Sequence, residues 1–299
     1  MLHDAPIAYL QRVRQYYQAL GYAAPYEWAH FDEVPFTPLR KPLAACRVAL
    51  VTTAAPFQAD KGDQGPSAPY NAAAKFYTVY SGSTACEHDL RIAHVAFDRQ
   101  HTTAEDIATY FPLAALRRAV ASGRIGELTA RFHGAPSNRS QRRTIEVDGP
   151  DVVARCRADG ADAVLLVANC PVCHQSLALI ARQLEAARIA TVVMGCARDI
   201  VEHVGVPRLL FSDFPLGNAA GRPRDVASQD VTLEWALNLL ESASAPRATQ
   251  VSPLRWSDSD EWKLDYCNVE RLSADEIARR RAEFDRGKVM ASAVRQATA

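Results

Sequence analysis

One stretch constrains the fold more than any other: Asp162-Ala-Val-Leu-Leu-Val-Ala-Asn-Cys170-Pro-Val-Cys173-His174-Gln175-Ser176, continuing into Leu177-Ala-Leu-Ile-Ala-Arg-Gln-Leu-Glu-Ala-Ala187. It opens as an apolar run of strand length and closes with apolar residues at helical spacing, so it reads as strand, turn and helix. A helix starting at Pro171 or Val172 places proline where its missing N–H costs nothing. Cys170 then sits at the positive end of that helix, with orphan N–H groups aimed at its sulfur. Those conditions lower a thiol pKa, so Cys170 is expected to be the low-pKa, nucleophilic thiol. Cys173 faces the same side of the first turn and is placed to resolve a mixed disulfide or a substrate adduct. His174, four residues from Cys170, is expected within reach of the sulfur or of a leaving group, as a proton donor.

Cys-Pro-Val-Cys-His admits other chemistries. It has the form of a c-type haem attachment site. That chemistry needs export, and residues 1–8 lack a charged segment followed by an apolar one. A zinc site would join Cys170 and Cys173 to distant ligands such as Cys196 or His203, yet no second C-x-x-C or H-x-x-x-H supplies the other half. Two inert buried cysteines would suit the apolar flanks, but the proline between them and the polar His-Gln-Ser after them fit a plain core poorly. A thiol redox site accommodates all of these residues.

The 299 residues, 48% of them hydrophobic, can bury a large core as one large domain or two smaller ones. Thirty-four Lys and Arg balance thirty-four Asp and Glu, so no net field favours nucleic acid or an anionic membrane. No apolar run reaches transmembrane length. Seven cysteines in a long chain without an export signal read as reduced thiols, hence a cytoplasmic protein.

Along the chain, residues 5–20 read as an amphipathic helix ended by Gly21. A proline-punctuated aromatic segment follows to Pro42, as an arm packed across the main domain or as an oligomer contact. Strands are expected at 47–53, 91–98, 131–134, 162–168, 190–194 and 208–212, with helices at 112–120, 151–158, 171–187 and 228–243. Strands alternating with helices mean α/β: parallel sheets covered on both faces, as one body or as two similar lobes. The division expected is 1–45 for the helix and arm, 46–245 for the α/β core with a break near 145–150, and 246–299 for the tail. In that tail Trp256, Trp262, Tyr266 and Cys267 precede a capping box at Ser273, and its aromatics either lid a pocket or pack on the domain's back.

Ligands of such sheets bind beyond the carboxyl ends of strands. Thr53, Asp98, His133, Cys170, Cys196 and Asp213 all fall at or just past such ends. With Cys170, Cys173 and His174, the catalytic candidates are therefore His94 and Asp98. Thr53, Gln175, Ser176, His133, Cys196 and Asp213 are candidates for substrate binding. No G-x-G-x-x-G follows a strand and no P-loop pattern occurs, so no tightly bound cofactor is expected and no metal is assigned.

The Cys170-Pro-Val-Cys173-His174-Gln175-Ser176 core, with Ile180-Ala-Arg182 and Leu184-Glu185-Ala-Ala187, resembles the selenoprotein B family of glycine, sarcosine, betaine and D-proline reductases. Looser matches are Pro42-Leu, Val48-Ala-Leu-Val-Thr-Thr53, His94-Val-Ala-Phe-Asp98, Phe111-Pro112, residues 123–128 and Phe214-Pro-Leu-Gly-Asn218, a span of roughly residues 40–245. In that family the first Cys-x-x-Cys position is often selenocysteine; here it is cysteine, a weaker nucleophile. The resemblance implies that Cys170 attacks and Cys173 resolves. A carbon–heteroatom bond of a small polar substrate is cleaved, and a disulfide is left for an external dithiol or a thioredoxin-like reductant protein. It also implies a separate pyruvoyl subunit as the source of an amine-activating carbonyl, which nothing in this chain supplies. The glycine-rich loop after the family's first strand is replaced by Thr53-Ala-Ala-Pro-Phe57. A racemase-like two-cysteine isomerase or lyase using Cys170 and Cys196 is the alternative. A zinc or thiophilic-metal protein, with Cys170, Cys173 and His174 as ligands, is third.

Overall fold

The computed structural model describes residues 5–297 apart from 67, 69 and 95; the first residues of the expected N-terminal segment, and Val95 of the expected strand 91–98, fall outside them. Near-continuous runs of β-branched and aliphatic residues make the central strands. β1 (Arg47–Thr52) opens the sheet, and a short β2 (Ala55–Pro56) follows it. Next come β3 (Tyr80–Ser83), β4 (Leu90–Arg91), β5 (Glu127–Leu128) and β6 (Arg131–Gly134). β7 (Ala163–Val167), β8 (Ala190–Gly195), β9 (Arg208–Phe211) and β10 (Ala248–Val251) complete the set. β7 and β8 are buried at every residue, as strands covered on both faces must be.

The main sheet runs β10-β9-β8-β7-β1-β6-β3, with β5 beside β1. All of its pairings are parallel except β3 with β6. From β1 the chain builds outward to β6, then crosses back to place β7 on the other flank of β1. That reversal puts the crevice of a doubly wound sheet at the carboxyl ends of β1 and β7. Thr53 follows one of these strands and Cys170 the other.

Helices α1 (Tyr9–Ala19), α2 (Leu113–Ala121), α3 (Gln141–Arg143), α4 (Gly149–Ala158), α5 (Pro171–Ala186), α6 (Arg198–Val204), α7 (Val226–Ser242) and α8 (Ala274–Ala297) cover the sheet and its ends. A π-helical turn, Thr144–Asp148, joins α3 to α4. Ser273 caps α8 through the Glu276 N–H, as its capping box requires. No described helix is long and apolar enough to cross a membrane.

One expected strand is absent. Among the described residues of that stretch only Arg91 is extended, with Leu90 before it paired antiparallel to β2 in a separate small sheet, and the other described residues to Asp98 form a loop and a turn. Asp98 shapes that turn by accepting the N–H groups of Gln100 and His101. Local Asx geometry here overrides the apolar alternation that suggested a strand.

At the opposite end of the sheet from Cys170, Arg208 is fully buried against Glu185, 2.9 Å away. Glu185 Oε1 also accepts the Thr191 N–H and hydroxyl, while Thr37 N–H donates to Oε2. Arg208 Nη2 donates to the Thr37 carbonyl. One ion pair therefore ties the arm, α5, β8 and β9 together. Arg208→Ala would leave a buried carboxylate unpaired and should lower unfolding stability by about 3–5 kcal/mol. Denaturant titration checks this, and an unchanged midpoint would show the pair to be dispensable.

Candidate functional site

Cys170 is the N-cap of α5, in extended backbone, and its sulfur accepts the Cys173 N–H at 3.3 Å. The two sulfurs lie 2.6 Å apart, and the Ser137 hydroxyl is 3.7 Å from Cys170 Sγ. Cys170 faces a cavity of about 460 Å³ while Cys173 lies behind it, fully buried. Proline at the first helical position and the strand–turn–helix geometry are as the residue pattern dictates.

The proton is distributed against expectation. Burial raises the Cys170 thiol, and its contact with Cys173 raises it further. Cys173 is also opposed by burial, but the Cys170 hydrogen bond, His94 and the Thr53 hydroxyl together hold it well below a usual thiol. Burial thus raises Cys170, while the donors around Cys173 lower that second thiol. A helix N-terminus favours an anion, yet specific donors reaching the second sulfur outweigh it.

His174 is not placed to donate a proton. Its Nδ1 lies 2.7 Å from the Cys170 carbonyl oxygen, and its Nε2 accepts the N–H groups of Cys196 and Ala197 at 2.9 and 3.1 Å. A carbonyl only accepts and an N–H only donates, so the ring is the neutral Nδ1–H tautomer. Burial lowers its pKa. His174 is a brace between two strand-exit turns, and Gly195 makes room for it: a Cβ there would come within 2.6 Å of the ring.

Of the other expected residues, His94, Asp98 and Thr53 do gather near the cysteines. His94 Nε2 lies 2.9 Å from the Thr53 carbonyl, and His94 and Asp98 both line the cavity. Asp98 Oδ2 is buried without a partner among the described residues, and burial raises its carboxyl.

The remaining candidates lie elsewhere. His133 faces Ser81 and Asp159 in a buried network on β6. Gln175 holds the arm, receiving the Ala29 N–H and donating to the Tyr26 hydroxyl. Ser176 is buried and does not line the cavity. Asp213 pairs with Lys263 at 2.6 Å. Cys196 is off the cavity wall, and burial raises its thiol. These positions are near strand ends or on α5, but their side chains turn toward packing neighbours.

The rest of the cavity comes from segments far apart in the chain. Tyr17 of α1, Tyr26 and Trp28 of the arm, Tyr70, Tyr266 and Phe284 of α8 line it with Lys75, Arg99 and Arg139. Of the tail aromatics Tyr266 and Phe284 wall the pocket, whereas Trp256 packs on Phe214 and Trp262 beside His101. Tyr266 stacks on Tyr9 with ring centroids 5.2 Å apart and donates to the Ala96 carbonyl. The aromatic density of arm and tail was the only sequence signal for this wall; nothing in the sequence pointed to Lys75 or Tyr70.

A sequence model described as glycine/sarcosine/betaine reductase selenoprotein B matches residues 15–169. The chain belongs to this family. The matched region ends immediately before Cys170, so membership stands independently of the Cys-x-x-Cys motif. Among curated relatives, the D-proline reductase subunit gamma of Acetoanaerobium sticklandii is 29% identical over 223 residues, 73% of this chain and 87% of the relative. The glycine reductase complex component B subunit gamma of Carboxydothermus hydrogenoformans is 28% identical over 64% of this chain and 44% of its own length. The corresponding subunit of Peptoclostridium acidaminophilum is 24% identical over 74% and 51%. This chain thus covers most of the D-proline reductase subunit and about half of the glycine reductase subunits. No solved structure matches it significantly.

Two outcomes test this description of the histidines. His174→Ala should cost about 1–3 kcal/mol by orphaning buried backbone donors, without moving the thiol titration; a shifted titration would restore the proton-donor role. Burial lowers the His133 pKa from 6.5 to about 4. The unfolded chain then takes up its proton first as pH falls, so this stability is present above about pH 6.5 and lost towards about 4, up to roughly 3 kcal/mol. His133→Asn should flatten that part of the stability–pH curve, and parallel curves for the two proteins would refute the assignment.

Proposed function

We propose that this protein is a thiol-dependent reductase that cleaves a carbon–heteroatom bond of a small polar substrate through Cys170 and Cys173. The observation that carries the reading is the stacking of the two sulfurs, one on the cavity wall and one 2.6 Å behind it. The family's reductase subunits support the reaction class.

Cys173, holding the charge, takes the proton from Cys170 and so acts as the internal base that makes the exposed sulfur a nucleophile. Cys170 forms a bond to the substrate carbon while the heteroatom leaves with the bonding pair. Asp98, a buried carboxyl on the same wall, supplies the leaving group's proton. Cys173 gives up its proton again and attacks the Cys170 sulfur; the carbon–sulfur bond breaks and the carbon takes the pair and a proton. One substrate bond, the thiol–thiolate pair and the Asp98 proton become a C–H bond, a protonated leaving group, a disulfide and the Asp98 carboxylate, which regains its proton from water. A carbon next to a carbonyl holds the pair best. An external dithiol or a thioredoxin-like protein then restores both thiols, which places the cycle in a reducing compartment such as the cytoplasm. Lys75, Arg99 and Arg139 favour a substrate carrying a carboxylate. Relatives named as subunits of a reductase complex support association with partner subunits; an activating carbonyl for an amine substrate is assigned to such a partner on the family resemblance alone.

The serine variants separate the roles. Cys170→Ser should abolish the first chemical event, whereas Cys173→Ser should leave an adduct or mixed disulfide trapped on Cys170. Intact-mass spectrometry after exposure to dithiol and a panel of small amino acids, D-proline and glycine included, reads both. A fully active Cys173→Ser protein would end the redox reading, and a severe Cys196→Ser defect without adduct would favour the two-cysteine isomerase.

A further inference from the structure

His94, Cys170 and Cys173 each present a ligand atom, a ring nitrogen and two sulfurs, all within 4.8 Å of one another and all three residues buried. This is a different histidine from His174, whose nitrogens both face backbone groups. His94 Nε2 meets the Thr53 carbonyl at 2.9 Å and donates its proton there, so Nδ1 is the nitrogen left for a metal, which displaces the proton that ring shares with Cys173. A ring N–H fixed on a backbone carbonyl is how metal-binding histidines are held in orientation. Cys170 opens onto the cavity, which leaves room for a fourth ligand from that side.

We propose that the reduced Cys170–Cys173 pair and His94 bind one thiophilic divalent cation of the zinc class, with the fourth coordination position facing the cavity. Two thiolates and a neutral imidazole cancel the dication's charge, which a buried site requires. Two soft sulfurs and one nitrogen with an open position form a donor set suited to zinc. At ~2.3 Å Zn–S bonds the sulfurs must separate to roughly 3.8 Å, inside the span the three ligand atoms already occupy. The proton held on the pair leaves to water when the metal binds. Metal and disulfide use the same sulfurs, so each excludes the other, and the bound cation holds the pair reduced and silent. This goes beyond the reductase reading and needs no turnover.

The full chain, reduced and freed of reductant under anaerobic conditions, is titrated with Co²⁺ and then Zn²⁺. One equivalent of Co²⁺ should bind with thiolate-to-metal charge-transfer absorption, and Zn²⁺ should displace it. The disulfide form should bind none. His94→Ala should weaken Zn²⁺ binding at least about tenfold, which is about 1.4 kcal/mol, while His94→Cys should recover it; Cys196→Ser and Cys46→Ser should bind as the parent does. Circular dichroism confirms that the variants are folded. No stoichiometric binding by the reduced protein, unchanged affinity in His94→Ala, or loss of binding in Cys196→Ser would each overturn the proposal. The readout contains no substrate, so its failure and the failure of the reductase reading are separate results.

Discussion

The His174 imidazole is the contact on which the site depends. It joins the turn after β7, through the Cys170 carbonyl, to the turn after β8, through the N–H groups of Cys196 and Ala197. All of these groups are buried, so each needs its partner or bears a desolvation penalty. Gly195 is part of the same device, because any side chain there would displace the ring. With the ring in place, the first turn of α5 has one arrangement, and the Cys170 sulfur has one direction in which to point. A histidine that looked like chemistry by spacing is the scaffold that aims the chemistry.

The cavity itself is made by the ends of the chain. α1, the arm and α8 meet above the carboxyl edge of the sheet, held by Tyr9 on Tyr266, by Arg12 on the Tyr266 carbonyl and by Tyr22 on Asp285. The buried Arg208–Glu185 pair fixes the arm from below, and Gln175 fixes it beside the pocket through Tyr26 and Ala29. The α/β core presents the sulfurs, while the terminal segments exclude water from them. An aromatic-walled pocket of low polarity strengthens the charge interactions inside it. Under the proposed reaction, that is the setting in which the proton between the two thiols matters most.

The chain belongs to the selenoprotein B family of reductases, and under the proposed reaction a cysteine pair serves where the sequence resemblance implies selenocysteine. Selenium ionises readily without help. A buried cysteine does not, and here burial raises the Cys170 thiol while donors around Cys173 lower its neighbour. Under the proposed reaction, the second sulfur then has two uses, as base before the attack and as resolving thiol after it. The same crowding of soft ligands, with His94 beside them, underlies the proposed competition by zinc.

The residue pattern alone determined the parallel α/β fold, the strand–turn–helix around Cys170 and the N-cap role of its sulfur. Each follows from local properties: apolar runs, helical spacing, proline at the first helical position and orphan N–H groups seeking an acceptor. The gathering of Thr53, His94 and Asp98 was also legible, because strand exits on one edge of a sheet converge. Only the tertiary structure decided which side chains at those exits face the pocket. His133, Cys196 and Asp213 turn away, since a one-residue change of register or a buried partner redirects a side chain without altering the pattern that placed it. Long-range contacts likewise decided that arm and tail wall the cavity, that His94 rather than His174 stands beside the sulfurs, and that donors gather on Cys173. Those outcomes depend on groups twenty-two or more positions apart meeting in space, which no local pattern encodes.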